Sequence, residues 1–164
     1  MSVPFVVRPT EEDDWPAVRA LRLEMLEDTP IAYLETLEQA LAHPESHWRG
    51  RAGNRDGSLK LAAITEDGRW IGTMTGIPTR DGPTLVAVYV APAFRGRAAG
   101  VTDALLEGIE AWARRSSTTL RLEVNEFNPR ARAAYEARGF VATGRTHPHP
   151  LPPPSLELEM IKRL

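Results

Sequence analysis

The stretch VAVYVAPAFRGRAAGVTDALLEGIEAWARR, residues 86–115, sets arginine and glycine between an apolar run and an amphipathic one. The apolar part ends at Pro92, and Thr102, Leu105, Leu106, Ile109, Trp112 and Ala113 then recur at helical spacing. A strand, a loop of small residues and a helix N-terminus form an anion site. The first helical amides have no internal partners, and the aligned peptide dipoles add partial positive charge. Arg95 and Arg97 offer charged, forked donors, while Gly96 and Gly100 let a ligand come close to the backbone. The structural alternative is a capped helix flanked by two exposed arginines. A triphosphate-binding loop is excluded, because no Gly-Lys dipeptide occurs and both lysines, Lys60 and Lys162, lie elsewhere. The glycine spacing also fails the GxGxxG dinucleotide pattern.

The elements that must hold this segment can be read on either side of it. Residues 4–9 form a first strand, and TEEDDW opens a helix capped by Thr10 with Asp13, or by Asp14, with Pro16 in its first turn. Its stripe is Trp15, Val18, Leu21, Met25 and Leu26. Residues 34–50 read as a weaker helical stretch broken at Pro44. Residues 59–65 and 70–77 are strands joined by Glu66-Asp67-Gly68, and residues 85–90 form the strand before the anion loop. After the long helix, Leu120, Leu122 and Val124 alternate with Arg121, Glu123 and Asn125, giving a strand with two chemically different faces. Asn128-Pro129 opens a short helix with the stripe Ala131, Ala134, Tyr135 and Arg138, ended by Gly139. Residues 140–146 and 156–161 are the last strands. HPHPLPPPS between them carries five of the fourteen prolines and reads as a rigid extended loop. The order β-α-α-β-β-β-α-β-α-β-β predicts an α/β domain, a mixed sheet with helices on both faces, spanning residues 1–164 as one unit.

Composition narrows the function from outside. The chain has 164 residues, 42% apolar and 26% charged, with 20 Lys+Arg against 22 Asp+Glu. So even a balance argues against a nucleic-acid or anionic-membrane binder. With no cysteine, no disulfide, thiolate nucleophile or cysteine-ligated metal is possible, and a cytoplasmic location is expected. No apolar run approaches a membrane span, and the N-terminal stretch lacks a basic region followed by a long apolar core. His147 and His149 flank one proline with no acidic or cysteine partner nearby in sequence, so no metal site is expected there.

Three stretches together resemble the GCN5-related N-acetyltransferase (GNAT) superfamily. VYVAPAFRGRAAGVTDALLEGIEAWARR is similar to its strand, pyrophosphate loop and helix. LRLEVNEFNPRARAAYEARGF (residues 120–140) is similar to its strand, Asn-capped helix, Tyr and closing Gly-Phe, and VVRPTEEDDWPAVRALRLEML to its first strand and helix. The loop departs from the family's Arg/Gln-x-x-Gly-x-Gly/Ala. Counted from Pro92 it starts at Arg95, with Ala98 replacing the middle glycine. Counted back from Leu105-Leu106 it is Arg97-Ala98-Ala99-Gly100-Val101-Thr102, and helix position favours this second register.

The resemblance implies acetyl-CoA as cosubstrate, in a V-shaped opening between the fourth and fifth strands. The backbone of Val88, Tyr89 and Val90 would bond the pantetheine like an added strand, the amides around Arg97–Thr102 would take the pyrophosphate, and Asn128 would bond the pantetheine or its surroundings. Tyr135 would protonate the departing thiolate. Glu123, or a water, would be the base. The acceptor would be a small-molecule or peptide amine, attacking directly with no covalent enzyme intermediate, no metal, and no nucleic-acid or membrane partner. A homodimer stays open. Each residue also has a plain structural use: Val88 and Val90 as core strand, Tyr135 as core aromatic, Glu123 as an arginine's partner, Asn128 as helix cap. A non-catalytic acyl-CoA-binding module, or an interaction domain without CoA, are the alternative functions.

Overall fold

The computed structural model describes residues 2–164. Its elements are β1 (Phe5–Pro9), α1 (Trp15–Asp28), α2 (Leu37–Leu41), α3 (Glu45–Ala52), β2 (Leu59–Thr65), β3 (Trp70–Thr79), β4 (Gly82–Val90), α4 (Val101–Arg114), β5 (Thr119–Asn125), α5 (Pro129–Glu136), β6 (Val141–Pro148) and β7 (Leu156–Arg163). They build one seven-stranded sheet in the order β1-β2-β3-β4-β5-β7-β6. The β4–β5 pair is parallel, as the crossover through α4 requires, and the other pairs are antiparallel. This is the mixed sheet, helical on both faces, that the sequence order predicts.

Each face has its own core. On one side Leu61, Met74, Leu105, Ile109, Leu122 and Phe140 bury α4 and α5 against the sheet. On the other, Leu21, Met25, Tyr33, Trp48 and Tyr89 bury α1 to α3. The α4 seat depends on Gly76, where a β-carbon would lie 2.4 Å from the Trp112 ring. Pro44 divides residues 34–50 into two helices and stands at the N-cap of α3. Ahead of α1, Glu11 and Asp14 form a reciprocal capping box, whereas Thr10 donates its hydroxyl to the Ala52 carbonyl at 2.8 Å. Asp14 stands at the N-cap position of α1, but its carboxylate is held by Arg8 and the Glu11 amide and accepts from no α1 amide, and Thr10 instead ties β1 to α3. β6 continues through His147 to Pro148, two residues past its predicted end. It is an edge strand, so a proline there removes no ladder bond.

Candidate active site

Two features of β4 open the sheet. It pairs with β5 only at Thr84↔Arg121 and Leu85↔Leu122, and then the strands part. Just beyond, β4 takes three steps from Val86 to Tyr89 while β3 takes two from Thr75 to Thr73. The extra residue is Ala87, at φ +53°. A left-handed alanine costs on the order of 1 kcal/mol and persists only where its surroundings fix it. The result is a cleft of about 320 Å³ with Val86–Val90 on one wall and Glu123, Val124 and Asn125 on the other.

The edge of β4 is already partly satisfied. Tyr33 donates its hydroxyl to the Val88 carbonyl at 2.7 Å, and Arg95 Nε donates to the Val90 carbonyl at 2.8 Å. What this edge offers a ligand is therefore N–H groups. Tyr89, expected to share that role, turns its carbonyl toward Gly72 on β3, so its backbone serves the ladder. Burial pushes the Tyr33 phenol above its ordinary value, and the Arg22 guanidinium sits 5.0 Å from its ring.

At one end of the cleft α4 begins. Gly100 is its N-cap at φ +75°, a left-handed conformation that glycine adopts without strain. The helix starts at Val101, so the unpartnered amides are those of Val101, Thr102 and Asp103. That geometry agrees with the register running from Arg97 to Thr102. Gly96 (φ +95°) and Gly100 both face open space where a β-carbon would stand. Gly96 and Thr102 line the cleft, whereas Ala98 lies in the turn before the helix and Ala99 packs toward the core. The two arginines hold the loop itself. Arg95 also pairs with Asp28 at the end of α1, and Arg97 donates to the Ala137 carbonyl at 2.7 Å. Arg130, which the sequence reading did not single out, lines the cleft and makes no ion pair among the described residues. Its signal was its place directly after the Asn128-Pro129 cap.

Asn128 caps α5, its side chain accepting from the Ala131 amide at 3.2 Å, and it also borders the cleft. The helix thereby brings Tyr135 to the same cleft as Glu123. The Tyr135 ring meets Phe140 edge-on at 5.8 Å, and burial pushes its phenol well above the ordinary value, so it holds its proton at neutral pH. Glu123 is exposed at the cleft mouth, its side chain 40% accessible, yet partial desolvation raises its carboxyl above the usual range, opposed by His147 and Arg145 and reinforced by Glu157 and Glu159. Its one close partner is His147, with Nε2 at 3.2 Å. The proline run predicts a loop at that histidine; instead β6 carries it over β7 to Glu123.

The sequence matches the acetyltransferase (GNAT) family over residues 17–140, most of the chain and every residue lining the cleft. The chain belongs to that family. None of the curated proteins compared matches it. Among solved structures, a GCN5-related N-acetyltransferase from Kribbella flavida is 25% identical, with 98% of each chain covered and a TM-score of 0.74. The ribosomal-protein-alanine N-acetyltransferase of Brucella melitensis is 28% identical, covering 97% of this chain and 99% of that one, with a TM-score of 0.71. A Salmonella typhimurium protein solved with its cofactor acetyl-CoA has a TM-score of 0.77 over 98% of this chain and 94% of its own. At 18% identity that likeness is one of fold. The GNAT chain has no helix long and apolar enough to cross a membrane among its described residues.

Proposed function

We propose that this GNAT protein moves an acetyl group from acetyl-CoA to a primary amine by direct attack. The observation that carries the reading is the single cleft that holds Glu123, Tyr135 and the α4 N-terminus together. The residues present fit acetyl-CoA. The Val101–Asp103 amides and Arg130 suit a pyrophosphate, and the N–H groups along Val88 and Val90 suit an extended amide chain. When bound, acetyl-CoA supplies an activated thioester.

The protein's own residues do the rest. Glu123 takes a proton from the acceptor amine, and its raised carboxyl pKa brings it nearer the working pH, where a base is most effective. Tyr135 keeps its proton until a thiolate forms beside it and then donates. No side-chain nucleophile is needed, which suits a chain without cysteine. Asn128 acts through the helix it caps, holding Tyr135 against the cleft.

Tyr135→Phe tests the scheme. It keeps the ring and its contact with Phe140, so stability and the acetyl-CoA Kd should hold within about twofold. Turnover should fall by about 10²-fold or more, because the donor acts only in the transition state. Calorimetry and CoA release, with a panel of L-amino acids, polyamines and Ala-starting peptides, read both quantities. Weaker acetyl-CoA binding with no separate loss of turnover would remove the acid role. Tight acetyl-CoA binding by the parent, with no acceptor turned over, would favour a non-catalytic module.

A further inference from the structure

The outer face of β5, β7 and β6 carries three carboxylates with different surroundings. Glu159 is buried and held by Arg121 at 3.0 Å and Thr143 at 2.8 Å, with Arg145 at 3.8 Å. Glu157 is buried and held by His149 and by Asn125 at 3.2 Å, Asn125 also reaching Ser155. Both are fixed structural acids. Glu123 differs: it makes no ion pair with an arginine among the described residues, it borders the cleft, and its single close partner is His147. The His147 side chain is 47% exposed, so its far ring nitrogen is within reach of water.

We propose that His147 is the residue through which Glu123 sheds its proton after each turnover. The inference rests on Glu123 being the base. The carboxylate takes the proton from the amine. The carboxyl passes it to His147 Nε2, giving an imidazolium, and the proton on Nδ1 leaves to water. Atoms and charge balance: Glu123 is again a carboxylate, and His147 ends as its Nε2–H tautomer, which proton exchange of the exposed ring with water returns to the Nδ1–H form before the next turnover. The groups facing Glu123 along this path are Arg121 and Asn125 on β5, Glu157 and Glu159 on β7, Arg145 and His147 on β6, and Tyr135 across the cleft. Of these only His147 both lies against the Glu123 carboxylate, at 3.2 Å, and carries a ring that can accept a proton at one nitrogen and release one from the other, on a side chain open to solvent. It is a positioning residue and proton carrier, and it touches no reacting atom.

His147→Gln and His147→Ala test this, since the site is half-exposed and neither should unfold the chain. One readout needs no acceptor. Carbon NMR of labelled glutamate follows the Glu123 carboxyl, whose midpoint should move further up when the imidazolium that favours its charged form is lost. An unmoved midpoint overturns the pairing. With the fastest amine of the panel, kcat should fall by roughly 10- to 100-fold in either variant, below the range of a direct catalytic base. KM for acetyl-CoA should stay level, and added imidazole should restore part of the rate of His147→Ala. The acid limb of kcat/KM should follow the same upward shift. Rates at the parent level, or a loss that imidazole does not touch, overturn the carrier role. The double variant with Glu123→Gln should be no slower than Glu123→Gln alone. If Glu123→Gln keeps the parent rate, the base assignment itself falls. If Glu123→Gln is slow and His147→Gln is not, only the carrier falls.

Discussion

One face of one sheet carries two clusters of ionisable groups that behave in opposite ways. Under α1 and α3 the cluster is cationic. Arg22 and Arg51 share Glu35, at 2.7 and 3.7 Å, and the buried Lys60 ammonium has Thr75 as its single hydrogen-bond partner among the described residues, at 2.8 Å. Across the splay, on β5, β7 and β6, the cluster is built on the carboxylates Glu123, Glu157 and Glu159. In the first, desolvation with Arg51 and Arg22 nearby pulls the Lys60 ammonium down to about 7. In the second, partial burial and two neighbouring glutamates lift the Glu123 carboxyl. Both groups are displaced toward neutrality, yet only Glu123 borders the cleft. A perturbed proton affinity marks a functional group only where a ligand and water can both reach it.

The comparison breaks first at Glu123. Glu123→Gln keeps the shape and removes the base, so turnover should drop by about 10²- to 10⁴-fold, ~3–5 kcal/mol of barrier. In the parent, activity should decline as pH falls through the raised Glu123 value, because the protonated carboxyl accepts nothing. The measurement is kcat/KM against pH for both proteins. A parent-like rate in the variant would make Glu123 as structural as Glu157.

Lys60 should answer in stability and not in rate. Its folded value of about 7 lies below the ordinary 10.5, so between those limits the unfolded chain holds a proton that the folded chain has lost. Stability from this group therefore rises with pH across that window, and below about pH 7 the full cost of a buried ammonium is present. Lys60→Met removes that cost and leaves the Thr75 hydroxyl without its donor, which gives back part of the gain. The variant should be more stable by about 1–3 kcal/mol at pH 6, and its advantage should vanish toward pH 10. Urea unfolding across that range decides it. An equal loss at every pH would mean the amine acts through packing alone.

How far this was legible from the sequence also divides at the splay. The α4 stripe, the alternation of Leu120 to Asn125 and the Asn128-Pro129 cap are repeated local patterns, so the elements and the cleft's outer walls could be read. Ala87 could not, because alanine carries no preference for a left-handed bulge and the register of β3 on β4 imposes it. Nor could the Glu123–His147 contact, made over an intervening strand that comes later in the chain than either. Arg95 and Arg97 are expected from the sequence to offer their charges to an anion, but sequence shows a charge and not its partner. Arg95 and Arg97 spend theirs on Val90, Asp28 and Ala137.

Tyr33 joins the two regions, and its loss should be the smallest effect and the most informative about the splay. Its ring belongs to the α1–α3 core beneath Arg22, while its hydroxyl reaches the Val88 carbonyl beside the bulge. Tyr33→Phe keeps the ring and orphans that carbonyl. A half-buried acceptor that regains water in part should cost about 1 kcal/mol of stability, at the low end for an unsatisfied group. If the hydroxyl only satisfies the carbonyl, acetyl-CoA should bind as before. If it also holds β4 in its bulged path, the N–H groups of the edge shift with it, and the Kd should weaken several-fold while thermal stability falls by only a few degrees. Calorimetry and melting on the same Phe variant separate these outcomes. A Kd and a melting point both unchanged would show that Ala87 and the β3 register hold the cleft open without help from the helical layer.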